Sequence, residues 1–289
     1  MASCLPRFRR WVLLWSACTL TLLALGGADA FAYTFTPLDG PGASATNAYG
    51  INALGQIVGA YVGTDGLVHG FVREPEGTFT TIDAPGAFAT SATDINEQGQ
   101  IVGFYFDGAH FHGFVREPEG TFTTIDAPRA QATFARGINQ QGQIVGRAQP
   151  GRTGHGTYGF VRAPAGAFTK IQVPHAQSTA AYGINEQSQI VGTYFDGSHF
   201  HGFLLDLDGT VTTIDVPGAP ATFAYSINEQ GQIVGAYSGH GFLLDLNGAF
   251  TTIDAPGALA TSAYGINEQG QIVGFYFDGS SVHGYLAVP

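Results

Sequence analysis

The chain reads as all-β: a six-bladed β-propeller of four-stranded antiparallel blades, with the last blade closed by the N-terminal strand. Three observations predict it. The motif I-N-x-x-(G/S)-Q-I-V-G begins at Ile51, Ile95, Ile138, Ile184, Ile227 and Ile266, with spacings of 44, 43, 46, 43 and 39 residues. A period in that range marks a repeat architecture. Gly and Pro recur every few residues without any sustained i, i+3, i+4 apolar pattern, which argues against helices. The chain ends are also complementary. The sixth unit stops after three strands, at His283-Gly-Tyr-Leu-Ala-Val, and Tyr33-Thr-Phe-Thr-Pro-Leu-Asp39 copies the missing fourth.

Each unit supplies four short runs rich in Ile, Val, Phe, Tyr and Thr, bounded by turn residues. The fifth unit reads TFAYSIN, GQIVGAYSG, HGFLLDL and AFTTID, then APGALAT leads into the next copy. N-E-Q-G pairs an Asn able to form an Asx turn with a Gly able to take positive φ, which suits a tight hairpin. Ser188 stands in place of that Gly in the fourth copy. A β-solenoid is the alternative architecture, but its rungs need no hairpins.

Residues 1–32 differ in kind. Arg7, Arg9 and Arg10 precede an apolar run from Trp11 to Leu25, and small residues ending Ala28-Asp29-Ala30-Phe31-Ala32 follow. This is the pattern of a secretory signal peptide, too short for a membrane span. The expectation is a protein secreted to the extracellular space, the periplasm or the cell surface, with one repeat domain over residues 33–289 and no membrane span after cleavage. Cys4 and Cys18 both lie in the leader, so no intramolecular disulfide is expected in the mature chain. The mature part keeps 8 basic and 21 acidic residues, a balance that argues against nucleic-acid binding.

A His precedes Gly-Phe or Gly-Tyr at His69, His112, His201, His240 and His283, and an Asp follows 14 residues later at Asp83, Asp126, Asp215 and Asp254. In that register the two face each other across the third and fourth strands. The third unit has Tyr158 and Gln172 instead, losing both partners together. A structural His–Asp pair in each of these blades is expected, with His283 meeting Asp39 across the closure. The alternative is a ring of metal ligands, aided by His110 and His199 on the same strand faces as His112 and His201. No third ligand is evident, so neither a metal nor another cofactor is implied.

The third unit departs from the rest. No acidic residue occurs between Asp126 and Glu186, while Arg129, Arg136, Arg147, Arg152, Arg162 and Lys170 make up six of the eight mature basic residues. Arg136 replaces the Tyr found at Tyr49, Tyr182, Tyr225 and Tyr264 on the innermost strand, and Asp94 replaces the usual Gly one unit earlier. One rim of the ring should carry the NEQG and EPEG-type turns. The opposite rim should carry the APGAxxT links and the variable loops between second and third strands, where binding residues tend to sit. A basic sector on an acidic protein attracts anions. The candidate ligand-binding residues are Arg136, Arg152, His155 and Asp94, with Tyr182 and Tyr225 to stack on a sugar ring.

The I-N-x-x-G-Q-I-V-G motif followed by H-G-F resembles the bacterial HAF-family extracellular repeat over nearly all of the mature chain. The resemblance implies an exported, propeller-like protein and supplies no catalytic residues. Three functions compete: a non-enzymatic binding module for an anionic glycan or other cell-surface component, a carbohydrate-active hydrolase or lyase, and a purely structural matrix protein. Glycosidases need two positioned carboxylates, and only Asp94 is both irregular and central. The residues therefore favour binding over catalysis, with no catalytic residue assigned. The basic sector counts against a purely structural role.

Overall fold

The computed structural model describes residues 33–151 and 156–289, and every regular element among them is a strand. Residues 1–32, where a signal peptide is expected, lie outside the described residues. Strand β1 spans Thr34–Leu38. Blade one holds β2 (Ala45–Ile51), β3 (Ile57–Val62), β4 (Val68–Arg73) and β5 (Phe79–Ile82). Blade two holds β6 (Ala89–Ile95), β7 (Ile101–Phe106), β8 (Phe111–Arg116) and β9 (Phe122–Ile125). Blade three follows with β10 (Ala130–Ile138), β11 (Ile144–Pro150), β12 (Tyr158–Arg162) and β13 (Phe168–Ile171). Blade four is β14 (Ser178–Ile184), β15 (Ile190–Phe195), β16 (Phe200–Leu205) and β17 (Val211–Ile214). Blade five is β18 (Phe223–Ile227), β19 (Ile233–Tyr237), β20 (His240–Leu244) and β21 (Phe250–Ile253). The last blade is β22 (Ala260–Ile266), β23 (Ile272–Phe277), β24 (Val282–Val288) and β1.

Each blade is an antiparallel meander, and one parallel bridge, Val68 to Ala89, joins the first two. β1 pairs β24 from Thr34↔Val288 to Leu38↔Gly284, so the N-terminal strand supplies the fourth strand of the last blade. This pairing removes the open edge that β24 would otherwise present. A solenoid has no such return of the first strand to the last.

The core lies between blades rather than within them. Val58 of blade one packs with Ala92, Ile95 and Ile101 of blade two, and Val273 of the last blade packs with Ala48 and Ile51 of the first. Each Q-I-V-G Val is thus spent on the next blade. Burying such aliphatic side chains gives about 25 cal/mol per Å² of apolar area. Polar stitches accompany the packing. A buried Thr in each link accepts the backbone N–H six residues upstream, as in Thr46 from Gly40 and Thr261 from Ala255.

The turns close a belt around one mouth. The Asn52 amide donates to the Asn96 carbonyl, and the sequence continues through Asn139, Asn185, Asn228 and Asn267 back to the Asn52 carbonyl. Outside it runs a second ring, in which Ala53 N–H donates to Glu97, Glu97 N–H to Gln140, Gln140 N–H to Glu186, Glu186 N–H to Glu229 and Glu229 N–H to Glu268. The ring breaks at Ala53, whose methyl group offers Glu268 N–H no acceptor. Gln140 shows that an amide serves in this place. Ala53→Gln should therefore complete the ring and add about 1 kcal/mol, seen as a rise of roughly 2–4 °C in Tm. An unchanged or lower Tm would show that the gap costs nothing.

Candidate functional site

The innermost strands bring six equivalent positions to the axis: Tyr49, Thr93, Arg136, Tyr182, Tyr225 and Tyr264. A register shift just before the following residue, between Ala48 and Gly50 in blade one and at the matching place in the others, turns these side chains inward. The tyrosines fill the axis. Tyr225 stacks on Tyr264 with centroids 4.1 Å apart and planes 12° apart, Tyr182 meets Tyr225 edge-on at 5.2 Å, and Tyr49 meets Tyr264 at 5.2 Å. Burial raises the phenols of Tyr49, Tyr225 and Tyr264, so they remain neutral.

This packing corrects the expectation that Tyr182 and Tyr225 stack on a sugar. The faces of Tyr225 are taken by Tyr264 and Phe223, and Tyr182 is engaged by Tyr225 and the Arg136 guanidinium. Equivalent positions on neighbouring inner strands converge so closely that the rings satisfy one another.

Arg136 stands in an aromatic box. Its guanidinium carbon lies 4.8 Å from the Phe104 ring centroid, 5.5 Å from Tyr182 and 5.8 Å from Phe134. Desolvated cation–π contacts are worth about 2 kcal/mol, which explains how a cation is tolerated at the axis. The Arg136 Nε is nevertheless buried without a hydrogen-bond partner. Arg147, on the neighbouring strand opposite Phe134, places its guanidinium 4.3 Å from the same ring. Burial pulls Arg147 down to about 10, with Tyr182 opposing and the Arg136 charge adding to the fall, so it stays charged at neutral pH. The sequence signal for Arg147 is its place directly after Q-I-V-G, where the other units have Ala60, Phe104, Thr193, Ala236 and Phe275.

Asp94 serves a different purpose from Arg136. Its Oδ1 accepts the Ile95 N–H and its Oδ2 the Ile138 N–H of the next blade, both at 2.9 Å. Burial pushes the carboxyl up to about 7, against the opposing effect of those two N–H groups. Both residues line the axial pocket, but no ion pair links them. Asp94 also lines the funnel under the Asn belt, with Glu97, Glu186, Glu229 and Glu268 around it. Burial raises Glu229, and the charges of Glu268 and Glu186 add to the rise while the Glu186 N–H lowers it. The two ends of the axis thus differ, with carboxylates gathered at the turn rim and guanidinium groups set toward the link rim.

Arg152 and His155 lie outside the described residues. The His and Asp side chains meet: His69 Nδ1 is 3.0 Å from Asp83, His112 2.8 Å from Asp126, His201 2.9 Å from Asp215, His240 2.8 Å from Asp254, and His283 3.0 Å from Asp39. In the third blade Tyr158 carries Lys170 at 5.0 Å from its ring, and Gln172 donates to the Ala176 carbonyl. Among the described residues, no three His, Cys, Asp or Glu side chains converge as a metal site requires, and no helix is long and apolar enough to cross a membrane.

The closed ring of meanders and the filled axis define a β-propeller. Solved structures of that architecture resemble it at low identity. Virginiamycin B lyase from Staphylococcus aureus aligns with a TM-score of 0.51 and 10% identity, over 89% of this chain and 99% of the enzyme. A gluconolactonase from Xanthomonas campestris gives 0.57 and 15% over 90% and 91%, and the Aleuria aurantia lectin, solved with Fucα1-6GlcNAc, gives 0.51 and 14% over 85% and 96%. These likenesses establish the fold alone. No protein-family model and no curated protein sequence matches the chain.

Proposed function

We propose that the chain is an exported, non-enzymatic propeller module that binds an anionic glycan through its third blade. One observation carries this reading: on a strongly acidic protein, Arg136 is held by aromatic rings beside a second charged guanidinium, with its Nε buried and unbonded. Arg forks suit carboxylates and sulfates, and a site walled by rings strengthens the attraction. The signal-peptide pattern supports export. The resemblance in architecture to a lectin solved with a disaccharide is compatible with glycan binding.

Catalysis is the second reading, favoured by Asp94, whose raised carboxyl could donate a proton near neutral pH, and by lyase and lactonase neighbours. It is weaker because both oxygens of Asp94 are held by backbone N–H groups, and Glu97, which shares the funnel with it, accepts the Ala53 N–H, whereas glycosidases position two carboxylates about the scissile bond.

Isothermal calorimetry of residues 33–289 against polygalacturonate, hyaluronate and a sulfated glycan at low salt tests both. The informative variant is Arg136→Tyr, which installs the residue of four other blades and removes a like charge from Arg147. It should fold at least as stably as the parent. The parent should give saturating heats that fall at least tenfold in the variant and weaken with salt. Heat that continues at a steady rate would establish turnover, and no heat from any polymer would sink glycan binding by this blade.

A further inference from the structure

The histidines of the link rim are not simple pairs. His69, His112, His201 and His283 each have a carboxylate at both ring nitrogens. Nδ1 faces Asp83, Asp126, Asp215 and Asp39, as above, while Nε2 faces Asp65 at 3.1 Å and Asp107, Asp196 and Asp278 at 3.3 Å. The second set lies in the loop between second and third strands. A carboxylate only accepts hydrogen bonds, and a neutral imidazole has a single N–H. A neutral ring would therefore aim a lone pair at one of its two carboxylates, and only imidazolium satisfies both.

We propose that the link rim carries four acid-locked loops, in which imidazolium at His69, His112, His201 and His283 ties the loop carboxylate to the blade, and loss of that proton at higher pH releases the loop. The remaining groups around each ring do not compete for its nitrogens. Tyr61, Tyr105, Tyr194 and Tyr276 pack on the imidazoles at 5.4, 5.2, 5.0 and 5.2 Å. His110 and His199 lie edge-on to His112 and His201 at 6.4 Å. Blade five differs, since His240 has Asp254 alone and its loop is a two-residue turn at Ser238 and Gly239. Blade three has no such His.

The electrostatics agree in sign. Burial alone would lower these histidines, but the flanking carboxylates more than offset it, and all four are raised above 6.5. Their stabilisation is complete below the unfolded value of about 6.5 and is lost as pH climbs through the folded value. The loop aspartates are lowered, Asp107 and Asp196 to about 2, first by backbone N–H groups and then by the His. Their contribution is lost only as pH falls through that range, so the lock is closed in mildly acidic solution.

Histidine-selective ¹⁵N NMR of the mature protein, from pH 5 to 9, tests the proposal. Four rings should keep imidazolium shifts at pH 6.5, and Tm should fall between pH 6 and 8.5. The combined variant Asp65→Asn, Asp107→Asn, Asp196→Asn and Asp278→Asn keeps the oxygen that accepts the loop N–H groups. Its fall in Tm should be at most half that of the parent. Neutral-tautomer shifts at pH 6.5, or an identical Tm profile in the variant, would overturn the lock. Should the variant fail to fold, the parent's shifts decide alone.

Discussion

Removing residues 33–40 should abolish cooperative folding of the ring. That segment carries β1, whose Leu38 is 3% exposed and packs with Phe71 and Val273 at the junction of last and first blades. Phe35 meets Tyr285 at 5.3 Å in the neighbouring cluster, and Asp39 holds His283. Truncating one buried Leu and one Phe costs about 5–8 kcal/mol together, against a total stability of about 5–15 kcal/mol. The exposed edge of β24 adds a site for aggregation. Circular dichroism melting of residues 41–289 should show no cooperative transition above room temperature, and a peptide of residues 33–40 should restore one. A truncated chain that melts with the parent would refute the closure.

Gly192→Ala should cost about 3 kcal/mol or more, toward the upper end for overpacking, and lower Tm by roughly 6–12 °C. A Cβ at Gly192 would stand 2.1 Å from the Ala180 carbonyl oxygen and 2.7 Å from the Phe203 ring. The obstacle is backbone, which cannot rotate away as a side chain does. Gly151, with no atom of the described residues within 4 Å of its Cβ position and no positive φ, is the control, and Gly151→Ala should leave Tm unchanged. Equal effects at both positions would show that the contact is not a constraint. The same crowding recurs at Gly59, Gly103, Gly146, Gly235 and Gly274, each facing an inner-strand carbonyl and the aromatic ring of its own H-G-F, H-G-Y or, in blade three, Y-G-F counterpart.

That contact explains why the architecture is so legible in the residues. Q-I-V-G and H-G-F are two halves of one packing unit, so a pattern of letters states a pattern of contacts. The register of His and Asp was readable for the same reason, because a fixed separation of 14 residues across a hairpin leaves one geometry. The second carboxylate at each His was not, since Asp65, Asp107, Asp196 and Asp278 sit in D-G turns whose loop path only the folded chain defines. The candidate site was half legible. A cation replacing tyrosine at Arg136 stands out in any alignment of the units, whereas the mutual stacking of Tyr225 and Tyr264 depends on how near the inner strands come to the axis. Asp94 stands out as the exception to Gly at its position, but only the folded chain defines its partners, the backbone N–H groups of Ile95 and of Ile138 in the next blade.

The asparagine belt has a handedness. Every side-chain amide donates forward to the next blade in chain order, and the last donates to the first. Six similar dipoles laid head to tail around a circle cancel in its plane, so the belt tightens the mouth while contributing almost no net moment. The potential that an approaching ion meets there is consequently written by Glu97, Glu186, Glu229 and Glu268. Exchanging those four side chains for glutamine would remove the charge of the entrance while keeping an acceptor for each N–H of the outer ring and leaving the asparagine belt untouched.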